Sequence, residues 1–282
     1  MANETQKTYW NQVGGPKWVS LGGAMEARLA PVSAAVIAAA SLRPGENVLD
    51  IGCGAGLTSL EAAQAVGPAG RVIGIDISAP MIETARGHAR ARHIENVSFR
   101  LGDAQTEHFA PAPEMLVSRF GVMFFDDPVA AFANLRTGAA PGARLACAAW
   151  APLARNEHWR RPLELVEALL GPGAPRQPHA SGPLAFDDAD YVTEILTQAG
   201  WQAPRVEAVE IALHGVSLEE EAAIACFMGP SGALLDEKQA SPAQRETIRA
   251  AIRAALPAYA SPAADGGVRV PAVIHMITAR AA

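Results

Sequence analysis

The chain has 282 residues, of which half are hydrophobic and 18% are charged, with a formal net charge of -6 at pH 7. This length fits one α/β domain with additions, and the apolar content excludes a chain that is disordered over most of its length. The negative charge, without a dense lysine or arginine run, argues against a nucleic-acid partner. We expect a soluble, cytoplasmic protein, monomeric or homodimeric, that acts on small molecules.

The N-terminal region gives no sign of membrane insertion. Charged residues interrupt the apolar ones in the first thirty positions, which is unlike a signal peptide. We find no stretch of the ~20 apolar residues that span a bilayer. The Ala-rich run 30–42 predicts a helix packed on a sheet.

A repeated pattern occupies residues 47–150: a short β-branched run, a turn with glycine or an acid, and then a helical segment. Repeats of this kind form parallel βαβ units. Pro44-Gly45, Gly67-Pro68-Ala69-Gly70 and Pro141-Gly142 stand where a helix must end and the chain must turn into the next strand. The predicted strands are 47–51, 71–75, 97–101, 115–120 and 144–150, and the predicted helices are 57–66, 79–92 and 129–137.

The character of the sequence changes after residue 150. An amphipathic helix is predicted over 155–170, and the Gly/Pro-rich loop 171–183 predicts an insertion above the sheet. Asp187 or Asp188 can cap a helix that ends near residue 199. The remaining predicted elements are a strand at 206–213, helices at 218–228 and 242–255, and a last strand at 273–278.

A glycine-rich turn follows the first predicted strand directly. Its order is Gly-x-Gly-x-Gly, formed by Gly52, Gly54 and Gly56 after Asp50. The dinucleotide fingerprint needs a third glycine where this chain has Leu57. This mismatch, and the lack of a Tyr-x-x-x-Lys pair, disfavours an NAD-dependent oxidoreductase.

Two more acids end the next two strands. Asp76 lies twenty residues after Gly56, where a carboxylate can accept both ribose hydroxyl protons. Asp103 follows Gly102 and can face an adenine amino group or cap a helix. Because open α/β sheets bind ligands outside the carboxyl ends of their strands, we expect Asp50, Asp76 and Asp103 to converge on one crevice.

At these residues the chain resembles the class I S-adenosylmethionine-dependent methyltransferases, especially the ubiquinone/menaquinone-biosynthesis branch. The resemblance is strong over 44–150 and weaker towards the C-terminus. It implies a Rossmann-like, doubly wound, seven-stranded sheet of order 3-2-1-4-5-7-6, with an antiparallel last strand and a helical lid or insertion. It divides the chain into a lid segment (1–30), a cofactor-binding core (31–150), an insertion over the acceptor site (151–183) and a C-terminal part of the core (184–282).

The resemblance also implies S-adenosylmethionine as cofactor and assigns its site. The methionine part lies among Asp50 and the three glycines, Asp76 holds the ribose, and Met81 flanks the adenine. The segment Tyr9-Trp10-Asn11, with Trp18, resembles the lid of related enzymes; alternatively, Trp10 only anchors an N-terminal helix on the core. One departure is Glu114, where an Asp often opens the fourth-strand motif. The full implied set is Asp50, Gly52, Gly54, Gly56, Asp76, Ile77, Met81, Gly102, Asp103, Ala104, Ser118, Arg119, Phe120 and Trp10.

Two residues are candidates for activating the acceptor. His158 opens the predicted insertion just after the fifth strand, and its imidazole can deprotonate a hydroxyl or an amine; alternatively it is a surface or capping histidine. Arg119 can clamp an anionic acceptor or the cofactor carboxylate. The three cysteines, Cys53, Cys147 and Cys226, are dispersed, so we expect reduced thiols and no metal site.

The predicted function is methyl transfer to a small molecule. Transfer from a sulfonium is an in-line displacement that neutralises charge, so alignment in a dry site can achieve much of the catalysis without a metal. The alternative is a methyltransferase-like binding or regulatory protein without turnover. No motif identifies the acceptor, or shows whether O, N, S or C is methylated.

Overall fold

An eight-stranded, mostly parallel sheet forms the centre of the computed structural model, which describes residues 3–282. The strands are β1 (Asn47–Ile51), β2 (Arg71–Asp76), β3 (Val97–Leu101), β4 (Met115–Arg119), β5 (Arg144–Trp150), β6 (Gln202–Gly215), β7 (Ser261–Pro262) and β8 (Val268–Arg280). Their order is β3-β2-β1-β4-β5-β8-β6, with β7 paired to β8. β8 runs antiparallel to both β5 and β6. The predicted fold is confirmed, and the two-residue β7 only shifts the last strand's number from seven to eight.

The central strands are buried along nearly their whole length. In β1, β4 and β5 almost every side chain is buried, as expected for parallel strands that are covered on both faces. Asp50 is the charged exception in β1, and it is fully buried. A buried carboxylate is costly unless it has partners, so its position needs a functional or structural reason.

Ten α-helices surround the sheet within residues 3–282. They are α1 (Glu4–Tyr9), α2 (Gly15–Ala40), α3 (Leu57–Val66), α4 (Ala79–Ala91), α5 (Pro128–Gly138), α6 (Glu157–Leu170), α7 (Ala189–Gln198), α8 (Leu218–Phe227), α9 (Gly229–Glu237) and α10 (Pro242–Ala255). The helix α2 contacts both α3 and α4, and α5 contacts α7. A π-helical turn, Trp10–Gly14, joins α1 to α2.

The helices α6, α8, α9 and α10 form a cap beside the carboxyl ends of the strands. They share a small apolar core of their own, which includes Val166, Leu235 and Ile252. This core is separate from the large one around the sheet. The cap therefore supplies a second wall that faces the strand ends.

The N-terminal helix differs most from the sequence-based expectation. The Ala-rich run 30–42 predicted only its last part, whereas α2 begins at Gly15 and crosses residue 30, where lid and core were divided. Gly22, at φ 48° and ψ -131°, kinks it without ending it. The run Glu4–Ala40 is long and apolar enough, by length and composition alone, to cross a membrane, which the sequence analysis did not anticipate. The core helices of soluble proteins pass the same test, and here Val32 and Val36 are fully buried in the core around the sheet.

Candidate functional site

The glycine-rich turn carries the chain from β1 into α3 with its backbone exposed to a cavity. Gly54 has a φ of +55°, a conformation that side chains rarely adopt, and a Cβ built on it would lie 3.1 Å from Met81 Cε. Its N–H donates to Asp76 Oδ2 at 2.8 Å. Gly56 has another role, because its Cβ would meet the Phe99 ring at 2.9 Å, inside the packing of α4 against β3.

Asp76 ends β2 with a carboxylate that is already oriented by the backbone. Besides the Gly54 bond, its Oδ1 accepts from Ser78 N at 2.8 Å. Burial raises the pKa of Asp76, and these backbone bonds oppose the rise. Each carboxylate oxygen has two lone pairs, so one on each oxygen is left for a ligand.

Asp103 meets a partner that the sequence did not suggest. Both of its oxygens lie 2.9 Å from Asn3 Nδ2, and Oδ1 also accepts from Gln105 N. Asn3 Oδ1 in turn accepts from Asp126 N at 2.6 Å. The start of the described chain is thus fixed across this edge of the cavity.

The end of β4 joins two parts of the site. Ser118 Oγ donates to Ile51 O at 2.7 Å and accepts from Gly121 N at 3.1 Å, which ties the ends of β1 and β4 together. Phe120 stacks on Trp150 with the ring centroids 4.2 Å apart. Ser118 therefore positions the strand end, and Phe120 belongs to the cavity wall.

Arg119 lies on the cavity wall, and Asp50, which does not, is fully buried near the end of β1. Burial lowers the pKa of Arg119, while the carboxylates of Glu26, Asp50 and Glu61 oppose this effect. Burial also raises the pKa of Asp50 from its ordinary value of 3.8 to about 7, although Ser59 Oγ donates to its Oδ2 at 2.6 Å. Arg119 Nη1 and Asp50 Oδ1 are buried and have no hydrogen-bond partner among the described residues.

The N-terminal segment closes over the β2–α4 loop. Asn11 Nδ2 donates to Ile77 O at 2.9 Å, and Ala79 N donates to Asn11 Oδ1 at 2.9 Å. Ser78 Oγ donates to Trp10 O at 2.8 Å. The Trp10 ring packs edge-on against Phe124, with centroids 5.1 Å apart. Trp10 thus both anchors the helix and lines the cavity, so the two interpretations of this segment are compatible.

One cavity of about 590 Å³ connects these groups. Of the sequence-predicted residues, Asp50, Gly56 and Ser118 are not on its wall; those that line it are Trp10, Gly52, Gly54, Asp76, Ile77, Met81, Gly102, Asp103, Ala104, Arg119, Phe120 and His158. The same cavity continues under the cap, where residues of α6, α8, α9 and the segment after α10 line it.

His158 lies in this continuation and is only 4% exposed, so it is not a surface histidine. Its ring centroid is 5.3 Å from that of Trp150 and 5.4 Å from that of Trp159. Burial, and then the charge of Arg28, lower the pKa of His158 well below its ordinary value, against a smaller opposite effect of the Pro271 carbonyl. Neither ring nitrogen has a partner in hydrogen-bond geometry among residues 3–282. The imidazole is therefore neutral near pH 7.

Sequence reasoning identified His158 but missed the other polar residues under the cap. Arg28 Nε donates to both carboxylate oxygens of Glu221, at 2.9 and 3.1 Å, and both side chains are buried. Tyr259 lines the same region, and its hydroxyl is buried without a partner in the described chain. The sequence offered one signal for these residues: Arg28 is a charged residue between the apolar Ala27 and Leu29.

The residues present fit S-adenosylmethionine. The turn at Gly54 has no side chain in the way, Asp76 offers acceptors for hydroxyls, and Arg119 offers an unpartnered buried donor to a carboxylate. Within residues 3–282, no group of three or more His, Cys, Asp or Glu side chains is arranged to hold a metal ion.

Comparisons with known proteins agree with this fit. Residues 42–153 match the family described as Methyltransferase domain. The chain is 29% identical to nocamycin O-methyltransferase of Saccharothrix syringae over 198 residues, which are 67% of this chain and 71% of that protein. It is 44% identical to demethylmenaquinone methyltransferase of Symbiobacterium thermophilum over 70 residues, which are 24% of this chain and 28% of that protein.

A solved structure shares the fold. The YcgJ protein of Bacillus subtilis superposes with a TM-score of 0.55 over 88% of this chain and 97% of that chain, at 18% sequence identity. The resemblance that the glycine-rich turn and the strand-end acids suggested is therefore confirmed. Residues 42–153 form a methyltransferase domain, and the relatives and the fold support a class I S-adenosylmethionine-dependent methyltransferase with S-adenosylmethionine as its methyl donor.

Proposed function

We propose that the protein transfers the methyl group to a small molecule by in-line displacement, without a metal. The observation that carries this proposal is the single cavity, which runs from the carboxyl ends of β1, β2 and β4 to an aromatic chamber under the cap. A donor and an acceptor in one cavity can be aligned, and their alignment supplies much of the rate acceleration.

At the donor end of the cavity, the residues of the chain bind the cofactor and orient it. Asp76 accepts hydrogen bonds from ribose hydroxyls, and Arg119 donates to the carboxylate of the methionine part. Asp103, with Gly102 and Ala104, borders the adenine, while Met81 and Trp10 supply apolar contact. When bound, S-adenosylmethionine supplies an electrophilic methyl group on a sulfonium.

At the acceptor end of the cavity, apolar side chains exclude water, and His158 accepts a hydrogen bond from the acceptor. Trp150 and Trp159, with ring centroids 4.6 Å apart, form an apolar wall beside His158. The neutral imidazole keeps a lone pair, so it can accept a hydrogen bond from an O–H or N–H of the acceptor. Its lowered pKa makes it a weak base, so its main contribution is to hold that group in line.

Turnover tests the proposal. Purified protein incubated with S-adenosylmethionine and a small-molecule extract should release S-adenosylhomocysteine and give a product heavier by one methylene unit, both detected by mass spectrometry. A binding or regulatory protein would bind the cofactor with the same affinity and release no S-adenosylhomocysteine with any extract. That second result would leave the fold assignment intact and remove the enzymatic one.

His158 gives a sharper test once an acceptor is known. His158→Ala should lower kcat by about tenfold, with nearly unchanged cofactor affinity, because the loss of the hydrogen bond that holds the acceptor in line costs about 1.4 kcal/mol. His158→Gln, which keeps a hydrogen bond but cannot act as a base, should retain most of the rate if holding the acceptor is the main role. Full activity of the alanine variant would show that the histidine only fills space.

A further inference from the structure

Three polar side chains line the cavity under the cap: two of them are buried, and the third, Tyr259, is half-buried with a buried hydroxyl. We call Arg28, Glu221 and Tyr259 the distal cluster. They come from α2, α8 and the segment after α10, and all three line the cavity. Arg28 is 6% exposed and Glu221 is 4% exposed, so both are shielded from bulk water.

The charges of the distal cluster already cancel. The Arg28 guanidinium and the Glu221 carboxylate meet at 2.9 Å through Nε. Burial raises the pKa of Tyr259 to about 12, so its hydroxyl stays protonated and can donate. His158 beside the cluster is neutral. A carboxylate or phosphate that entered here would lose its hydration and lie near the Glu221 carboxylate, without an unpaired cation to compensate it.

The cluster nevertheless keeps an unused hydrogen-bonding group beside its charged pair. The Tyr259 hydroxyl has no partner in residues 3–282, and buried polar groups in proteins are seldom left so. Around it the wall is apolar and aromatic, with Trp150, Trp159 and Phe227 on the cavity. A ligand that fits this end of the cavity is therefore mostly flat or apolar. It carries one uncharged polar group that can form a hydrogen bond with the Tyr259 hydroxyl.

We propose that the acceptor is an uncharged aromatic molecule with a hydroxyl or carbonyl oxygen remote from the methylated atom, and that the Tyr259 hydroxyl donates a hydrogen bond to that oxygen. The distal cluster selects against acceptors that carry a carboxylate at the same position. This inference rests on the proposed function, because it concerns the acceptor of that reaction.

Binding of three matched probes tests it. Naphthalene, 2-naphthol and 2-naphthoate are titrated into the protein saturated with S-adenosylhomocysteine, and quenching of tryptophan fluorescence is followed. We expect 2-naphthol to bind about fivefold more tightly than naphthalene, the effect of one hydrogen bond, and at least about tenfold more tightly than 2-naphthoate. Equal affinities for naphthalene and 2-naphthol, preference for 2-naphthoate, or no binding of 2-naphthol would overturn the proposal.

Two variants assign the effect to the cluster. Tyr259→Phe should abolish the preference for 2-naphthol over naphthalene, whereas Tyr191→Phe, whose side chain is not on the cavity wall, should keep it. Glu221→Gln leaves the Arg28 charge unpaired and should improve 2-naphthoate binding by about tenfold relative to 2-naphthol. If Glu221→Gln does not fold, the Tyr259→Phe result alone decides.

Binding of S-adenosylhomocysteine separates this inference from the proposed function. If the wild-type protein binds it and the probes show the wrong preference, the distal cluster does not select the acceptor and the proposed function still stands. If the protein does not bind it at all, the proposed function itself fails.

Discussion

Asp76 is the residue on which the cofactor assignment depends most directly. Its carboxylate accepts hydrogen bonds from the Gly54 and Ser78 N–H groups and, in our proposal, keeps lone pairs for ribose hydroxyls. Asp76→Ala should weaken S-adenosylhomocysteine binding by about 1–3 kcal/mol, the range for buried polar groups that lose a partner, as measured by isothermal titration. Asp76→Asn, which keeps one carbonyl oxygen, should lose less. Asp190→Ala on the exposed start of α7 is the control, and equal affinities for all proteins would contradict the assignment.

Asp50 makes stability depend on pH in an unusual direction. Its pKa is about 7 in the folded protein and near 3.8 when unfolded, so between these values the folded state binds the extra proton. The stability that this group contributes is fully present below pH 3.8 and is lost as the pH rises through 7. Asp50→Asn, which stays neutral, should therefore gain stability relative to wild type between pH 5 and pH 8.

Urea unfolding at both pH values measures this difference. Comparison with the variant is necessary because His158, whose pKa is lowered, contributes in the opposite sense: its contribution is present above pH 6.5 and falls as the pH drops through its folded pKa. His158 is common to both proteins and cancels. Parallel pH dependences of wild type and Asp50→Asn would show that the Asp50 carboxyl is ionised throughout.

At the scale of the elements, the N-terminal segment is joined by specific hydrogen bonds to the loop after β2. Asn11 does not line the cavity, yet it bonds Ile77 O and Ala79 N on the loop after β2. Asn11→Ala should accelerate dissociation of S-adenosylhomocysteine by about tenfold, because two hydrogen bonds that close the segment are lost. Stopped-flow displacement measures this rate, with the exposed Lys7→Ala as control. An unchanged rate would mean that the segment does not need to open for release.

Helices and strands whose ends are marked by glycine or proline could be predicted from the sequence. The strands β1, β3 and β5 and the helices α3 and α10 have the predicted bounds, because an apolar run and a Gly/Pro stop agree there. The helix α9 was missed, since its start, Gly229-Pro230, resembles a loop, although proline is favoured in a first helical turn. The early part of α2 was missed for the same reason, because Gly14-Gly15-Pro16 and Gly22-Gly23 resemble breakers.

The donor and acceptor ends of the cavity differ in how far apart their residues lie along the chain. The glycine-rich turn and Asp76 lie within one βαβ unit, so spacing along the chain predicts their meeting. Arg28 and Glu221 are separated by 193 positions, and only the packing of α2 against the cap brings them together. No periodicity or spacing encodes such a pair, so the acceptor end had to come from the structure.

At the scale of the whole molecule, the first and last thirds of the chain enclose the cavity together. Arg28 in α2 bonds Glu221 in α8, and Lys17 Nζ lies 2.7 Å from Asp236 Oδ2 in α9. The Lys17 pair is partly exposed and contributes little to stability. The buried Arg28 pair is different, because removing either partner would leave a buried charge uncompensated. The cavity under the cap therefore has its full wall only when the N-terminal helix and the cap are both in place.

Independence from metal is the prediction that concerns the complete enzyme. The strand-end carboxylates Asp76 and Asp103 already accept N–H groups, and Asp50 accepts from a hydroxyl, so each is engaged as a hydrogen-bond acceptor at the donor end. Displacement at a sulfonium neutralises charge as it proceeds, so a Lewis acid is not needed to stabilise a developing anion. We expect the rate of S-adenosylhomocysteine release to be unchanged after exhaustive treatment with EDTA and gel filtration.

The control is a second sample to which magnesium is returned after chelation. Equal rates in the untreated, chelated and magnesium-restored samples would agree with catalysis by alignment in a dry cavity. A rate that falls on chelation and recovers with magnesium would show that the carboxylates at the donor end, or an oxygen of the acceptor, bind a cation during turnover. In that case Asp103→Asn, which keeps an oxygen for Asn3 but removes the charge, should abolish the magnesium response while Asp190→Asn does not.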